Sequence, residues 1–110
     1  MTDKLIVLTT TGSQAEAEKI AHALVDRRLA ACVNIVPKVQ SVYRWEGKVE
    51  TAEEYLLLIK TRQACEAGVC AAIRELHFYQ LPECISITVE GGSKEYLQWL
   101  GESVQSSNEP

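Results

Sequence analysis

An α+β fold with the element order β-α-β-β-α-β, closed by a short extra helix, is predicted by three features of this 110-residue chain. Two stretches repeat apolar residues at helical spacing, and four shorter runs rich in Val, Ile, Leu and Tyr have strand character. The second and third of those runs flank Tyr43-Arg44-Trp45-Glu46-Gly47-Lys48, where the Glu-Gly pair signals a tight hairpin because glycine accepts positive φ. This order is the split βαβ, or ferredoxin-like, arrangement. Right-handed crossovers then give an antiparallel sheet with both long helices on one face.

Leu5 to Thr10 is the first strand. Ser13, with Glu16 three residues on, forms a capping box that opens a helix. Ala17, Ile20, Ala21, Leu24 and Val25 make its buried stripe, and Glu16, Glu18, Lys19, Asp26 and Arg27 fall outside it. His22 also lies on the outer, solvated side. The hairpin arms run from Ala31 to the tip and back to Thr61. In the first arm Val33, Ile35, Val39, Tyr43 and Trp45 form one oily face at period two. Pro37 donates no ladder hydrogen bond, so a bend or bulge is expected there.

A strand from Ala31 to Trp45 at ~3.3 Å per residue approaches ~45 to 50 Å, while a chain this long has a radius of gyration of only ~13 Å. The hairpin should therefore overhang its own domain. Tyr55-Leu56-Leu57-Leu58-Ile59 in the return arm is apolar at both odd and even positions, the pattern of a strand covered on both faces. Two helices cover one face; another subunit is expected on the other. Tyr43 and Trp45, large aromatics near the hairpin tip, are the expected interface anchors.

Gln63 to Leu76 is the second long helix, with Cys65, Val69, Ala72, Ile73 and Leu76 as its stripe. Gly68 weakens it by ~1 kcal/mol relative to alanine, which points to close packing. His77 to Glu83 is a connector in which Pro82 forbids helix. Cys84 to Glu90 alternates as a strand, Gly91-Gly92 turns the chain, and Ser93 caps a short helix presenting Tyr96, Trp99 and Leu100. One domain over residues 1–110, with 106–110 as a frayed tail, is expected.

Net charge is −4 and no basic run exceeds Arg27-Arg28, which argues against nucleic acid and anionic membranes as partners. No segment reaches the ~20 apolar residues of a membrane span, and the N-terminal apolar run is too short for a signal peptide. Of four cysteines, Cys32 and Cys84 sit in strand-like segments. Cys65 and Cys70 stand roughly 140° apart on their helix and do not face a common metal. With no CxxC present, small buried thiols in a reduced, cytoplasmic protein are expected.

An ordered set of segments resembles the CutA family, associated with divalent-cation tolerance. It comprises Leu29-Ala30-Ala31-Cys32-Val33-Asn34 with Pro37, Ser41-x-Tyr43-x-Trp45-x-Gly47-Lys48, Glu54, Lys60-Thr61, His77-x-Tyr79-x-x-Pro82-Glu83 and Tyr96-Leu97-x-Trp99-Leu100. The resemblance spans about residues 5 to 100. It implies a ferredoxin-like protomer in a homotrimer similar to the PII signalling proteins, a role in metal-ion tolerance and no enzymatic activity. It also implies copper or another divalent cation as a ligand. In some members the metal site joins a cysteine near the end of strand one to consecutive histidines after the second helix. Here those positions hold Thr9, Leu76 and His77, so His77 is the one candidate ligand left.

Glu54, Lys60, Tyr79 and Glu83 fall at motif positions that converge with Trp45 on an expected intersubunit cleft, suited to a small anion or a metal, or to an interface ion-pair network. A binding or regulatory trimer is the leading expectation, with a small-molecule or anion receptor at that cleft as the alternative. An acylphosphatase-like hydrolase needs an arginine beside an anion-binding loop after strand one, and Thr9-Thr10-Thr11-Gly12 supplies none. A heavy-metal-associated metallochaperone needs paired cysteines in that loop. An RNA-recognition module is disfavoured by the acidic charge and an aliphatic sheet face.

Overall fold

The computed structural model describes residues 2–105; the expected tail at 106–110 lies outside the described residues. The elements are β1 (Lys4–Thr11), α1 (Gln14–Asp26), β2 (Cys32–Trp45), β3 (Lys48–Arg62), a 3₁₀ turn (Gln63–Cys65), α2 (Glu66–Leu76), β4 (Ile85–Thr88) and α3 (Lys94–Ser103). The sheet order is β2-β3-β1-β4 with every neighbouring pair antiparallel, which is the ferredoxin-like topology. The second helix is shorter than expected, because its first residues tighten into the 3₁₀ turn.

One sheet face carries Leu5, Val7, Thr9 and Thr11 of β1 beside Thr61, Ile59, Leu57 and Tyr55 of β3. Ile20 and Leu24 of α1 and Val69 and Ile73 of α2 join Val7, Leu57 and Ile59 in one fully buried core. Gly68 is where α2 approaches most closely, since a Cβ there would stand 3.0 Å from Leu29 Cδ2. The other face carries Ile6 and Leu8 of β1, Leu56 and Leu58 of β3, and Ile85 and Ile87 of β4. These are half-buried or exposed, Ile85 to 55% and Ile87 to 53%. Burying apolar surface is worth roughly 25 cal/mol per Å², so an aliphatic sheet face left open forgoes a large stabilisation.

α3 touches β1 and β3 and sinks Leu100 and Val104, leaving Tyr96 and Trp99 exposed. Arg28 fixes its far end. In the left-handed region at φ 59°, Arg28 ends α1 and donates to the carbonyls of Glu102 (3.1 Å) and Ser103 (3.4 Å), where the helix dipole favours a cation.

The hairpin turns on two residues, Glu46 at φ 49° and Gly47 at φ 82°, the two positive φ values that match the twist of the arms. A bulge lies between Val36 and Val39, with Lys38 at φ 60°. It corrects the expectation of one oily face. Val33 and Ile35 pair with Ile59 and Leu57 on the helix side, whereas Val39, Tyr43 and Trp45 pair with Glu54, Glu50 and Lys48 on the helix-free side. One extra residue moves every later side chain to the opposite face. The arms extend the molecule to 43 Å against 28 and 22 Å in the other directions, the overhang the strand lengths required.

Two further expectations are corrected. Cys70 and Cys84 are not free thiols but a disulfide, joining α2 to the residue before β4; Cys32 and Cys65 remain free. Sequence spacing places Cys70 on a helix and Cys84 fourteen residues on, but only the tertiary fold brings them together. β4 is also shorter than the expected Cys84–Glu90: it is Ile85–Thr88, paired with Leu5 to Leu8 of β1.

Candidate functional site

The connector from His77 to Cys84 passes the end of β1 and is tied down from below. Glu16, expected on the outer side of α1, is buried, and this too is a correction. Its carboxylate accepts from the backbone N–H of Phe78 (2.7 Å) and of Gly12 (3.4 Å), so it cross-links two loops as well as opening its helix. Ser13 Oγ accepts from Glu16 N at 3.1 Å, as the capping box requires.

His77 stands beside it with its side chain fully buried. Its Nε2 lies 2.5 Å from the Thr10 carbonyl oxygen, which can only accept, so Nε2 carries the proton. Nδ1 then accepts from the Tyr79 N–H at 3.0 Å. Both ring nitrogens are engaged, and the Glu16 carboxylate lies 3.3 Å from Nδ1. A metal would have to displace one of these bonds. Thr9 is fully buried with a hydroxyl that finds no partner among the described residues, and Leu76 offers no donor. The three positions do not fit a copper site. Among the described residues no group of three or more His, Cys, Asp or Glu is placed to hold a metal.

By accepting from the Tyr79 N–H, the His77 ring holds Tyr79 over the end of the sheet, the two rings 4.5 Å apart. Tyr79 passes Gly12, where a Cβ would stand 3.2 Å from the phenol oxygen, and its O–H donates to Glu54 Oε2 at 2.6 Å. Burial first, and then the bond to Glu54 and its charge, raise the Tyr79 phenol far above its ordinary value of 10. It remains a donor across the physiological range. Glu54 is 6% exposed, on the helix-free face.

Tyr79 and Glu54 form one wall of an open cleft of about 640 Å³ under the distal hairpin. Tyr43 and Trp45 of the hairpin also line it; Thr10, Ser41, Gln80 and Glu83 complete the polar lining. Burial, and next the charge of Glu54, push the Glu83 carboxyl above its ordinary 4.5. The fold thus brings together Trp45, Glu54, Tyr79 and Glu83 and adds Tyr43. It does not bring Lys60. That residue lies six positions along β3 from Glu54, roughly 20 Å at strand rise, and its ammonium donates to Asn34 Oδ1 at 2.5 Å. No lysine, arginine or histidine lines the cleft among the described residues.

Residues 5–103 match the family described as CutA1 divalent ion tolerance protein. The chain is 45% identical over 98 residues to the divalent-cation tolerance protein CutA of Thermus thermophilus, covering 89% of this chain and 95% of that protein. It is 43% identical over 101 residues to the chloroplastic protein CutA of Arabidopsis thaliana, covering 92% of this chain but 56% of that one. The chain thus spans little more than half the length of the plant relatives it matches. Among solved structures, CutA from Xylella fastidiosa superposes with a TM-score of 0.92 at 39% identity, covering 94% of this chain and all of that one. The Thermus thermophilus Cut A1 structure gives 0.91 at 43% identity, covering 93% and 99%.

Proposed function

The chain belongs to the CutA1 divalent ion tolerance family, and from that premise we propose that it is a non-enzymatic, homotrimeric, PII-like binding protein with a role in metal-ion tolerance, using the cleft under its hairpin as a receptor. The observation that carries the proposal is the aliphatic helix-free face of the sheet, Ile6, Leu8, Leu56, Leu58, Ile85 and Ile87, continuous with Val39, Tyr43 and Trp45 on the overhanging hairpin. A neighbouring copy seated there removes that surface from water, and a cyclic trimer uses each hairpin once as donor and each face once as acceptor. The cleft then lies at a subunit boundary.

The charge of the cleft favours cations. With Lys60 elsewhere, two carboxylates face the space and nothing basic balances them, so the anion-receptor alternative loses its recognition group. Copper or another divalent cation would meet Glu54 and Glu83 in preference to His77, whose nitrogens are both engaged. Among the described residues no helix is long and apolar enough to cross a membrane. The expectation of a cytoplasmic location rested on free thiols and loses part of that support with Cys70 joined to Cys84. Light scattering on a sizing column at micromolar concentration tests the assembly: the expected mass is three times the 12.2 kDa of the chain, and a 12.2 kDa species contradicts it.

A further inference from the structure

We propose that the cleft is built for an organic cation of the ammonium class, held against the rings of Tyr43, Trp45 and Tyr79 and neutralised by Glu54 and Glu83. The inference rests on the receptor reading above and names its ligand. Its first support is the state of Glu54. Only one oxygen of this buried carboxylate is satisfied by Tyr79; Oε1 accepts no bond among the described residues, yet it is not sealed in and so faces the cleft. That oxygen is free to accept from a cation or donor that enters the cleft. Glu83 adds a second negative charge to the same space, where the two repel, and a cation between them relieves that repulsion.

The walls then decide which kind of cation. Three aromatic side chains line the cleft, and ring faces attract alkylammonium groups by cation–π interaction within about 6 Å. A bare divalent ion is served poorly by such walls. Calcium asks for six to eight oxygens and magnesium for near-octahedral ones, whereas two carboxylates are on offer here and one already binds a phenol. The volume of about 640 Å³ is that of a small-molecule pocket and far exceeds the needs of a single ion. Thr10, Ser41 and Gln80 supply hydroxyl and amide groups that fix the orientation of a polar substituent.

The test titrates the full-length protein with tetramethylammonium chloride and, separately, with tert-butanol, its neutral counterpart in shape, and with sodium chloride at matched ionic strength. The indole N–H signal of Trp45 is followed by NMR, and that of Trp99 on α3 serves as the internal control. The expected result is a saturable shift at Trp45 with tetramethylammonium alone, weakened at least tenfold in Glu54→Gln and severalfold in Glu83→Gln, the more exposed position being the safer variant should Glu54→Gln misfold. No saturable shift, an equal shift with tert-butanol, or a Trp45 response only to zinc or copper chloride overturns the inference. Scattering mass on the same sample separates the two claims. A trimer deaf to tetramethylammonium refutes the ligand and leaves the assembly; a monomer refutes the assembly, and its own titration still decides the ligand.

Discussion

The Tyr79 hydroxyl donates to Glu54 Oε2 at 2.6 Å across 25 positions of sequence, joining the α2–β4 connector to the middle of the hairpin's return arm. This contact lies on the lining of the cleft and helps to keep the Tyr79 phenol protonated. Tyr79→Phe removes the donor and leaves a buried carboxylate without its bond, which costs about 1–3 kcal/mol. Thermal denaturation should show that loss, and in the Glu54→Gln background the same substitution should cost measurably less. Equal losses in the two backgrounds would mean that the bond does not hold the wall.

Glu16 holds the other end of the connector. Glu16→Ala strands the Phe78 N–H, and the cost is again about 1–3 kcal/mol. Because Phe78 directly precedes Tyr79, faster amide exchange should spread from Phe78 through Tyr79 while the core strands stay protected. Unchanged exchange at Phe78 and Tyr79 would count against the anchor.

This second anchor marks where sequence reasoning stopped. The Ser13–Glu16 spacing is legible as a capping box, but its pattern says nothing of burial, and the partner N–H is 62 residues away. Pro37 announces a bulge; that the bulge turns Val39, Tyr43 and Trp45 to the helix-free face is decided by strand register, which a period-two count cannot see through. Glu54, Tyr79, Glu83 and Trp45 were legible as one cluster because family motif positions mark them. Lys60 shares the motif and the strand but not the place, since six residues of extended chain separate it from Glu54. The hairpin and the order of helices and strands follow from local pattern, so they are legible in the sequence, whereas the tightening of the first residues of the second helix into a 3₁₀ turn is not.

The Cys70–Cys84 bond closes a 14-residue separation that contains His77, Tyr79 and Glu83. In the chain-entropy description a loop of that size is worth about 3 kcal/mol. Reduction with dithiothreitol, or Cys70→Ser, should lower the melting temperature, and Cys32→Ser should not. Mass spectrometry after thiol alkylation without reductant should find two modified cysteines, Cys32 and Cys65. Four modified cysteines would show the bond absent.

Glu83 supplies a pH signature. Its folded carboxyl titrates above the ordinary 4.5, so the folded state holds a proton that the unfolded state has already released. The contribution of this group is therefore most favourable below 4.5 and declines as pH rises from there through the raised value. Asp3, held low mainly by its bond to Lys4, acts oppositely and loses its stabilisation as pH falls through its own lowered value. The difference in stability between the native protein and Glu83→Gln isolates the first effect. That difference should turn against the native protein as pH rises from 4.5 toward neutrality; a flat difference would show that Glu83 is neither desolvated nor close to the charge of Glu54.

His77 should prove structural. Calorimetric titration with copper and zinc is expected to give the same heats for native protein and His77→Ala, while the variant melts at a lower temperature because the Thr10 carbonyl and the Tyr79 N–H lose their partner. Binding heat abolished in a folded variant would restore His77 as a ligand.

In the proposed trimer the helix-free face and the overhanging hairpin form the subunit interface, with Trp45 as its anchor. Sedimentation equilibrium of native protein and Trp45→Ala, side by side through a dilution series from micromolar concentration, tests this anchor. The native trimer is expected to persist on dilution and the variant to dissociate into protomers with native-like circular dichroism. A variant that remains trimeric at every dilution the native protein survives would contradict it.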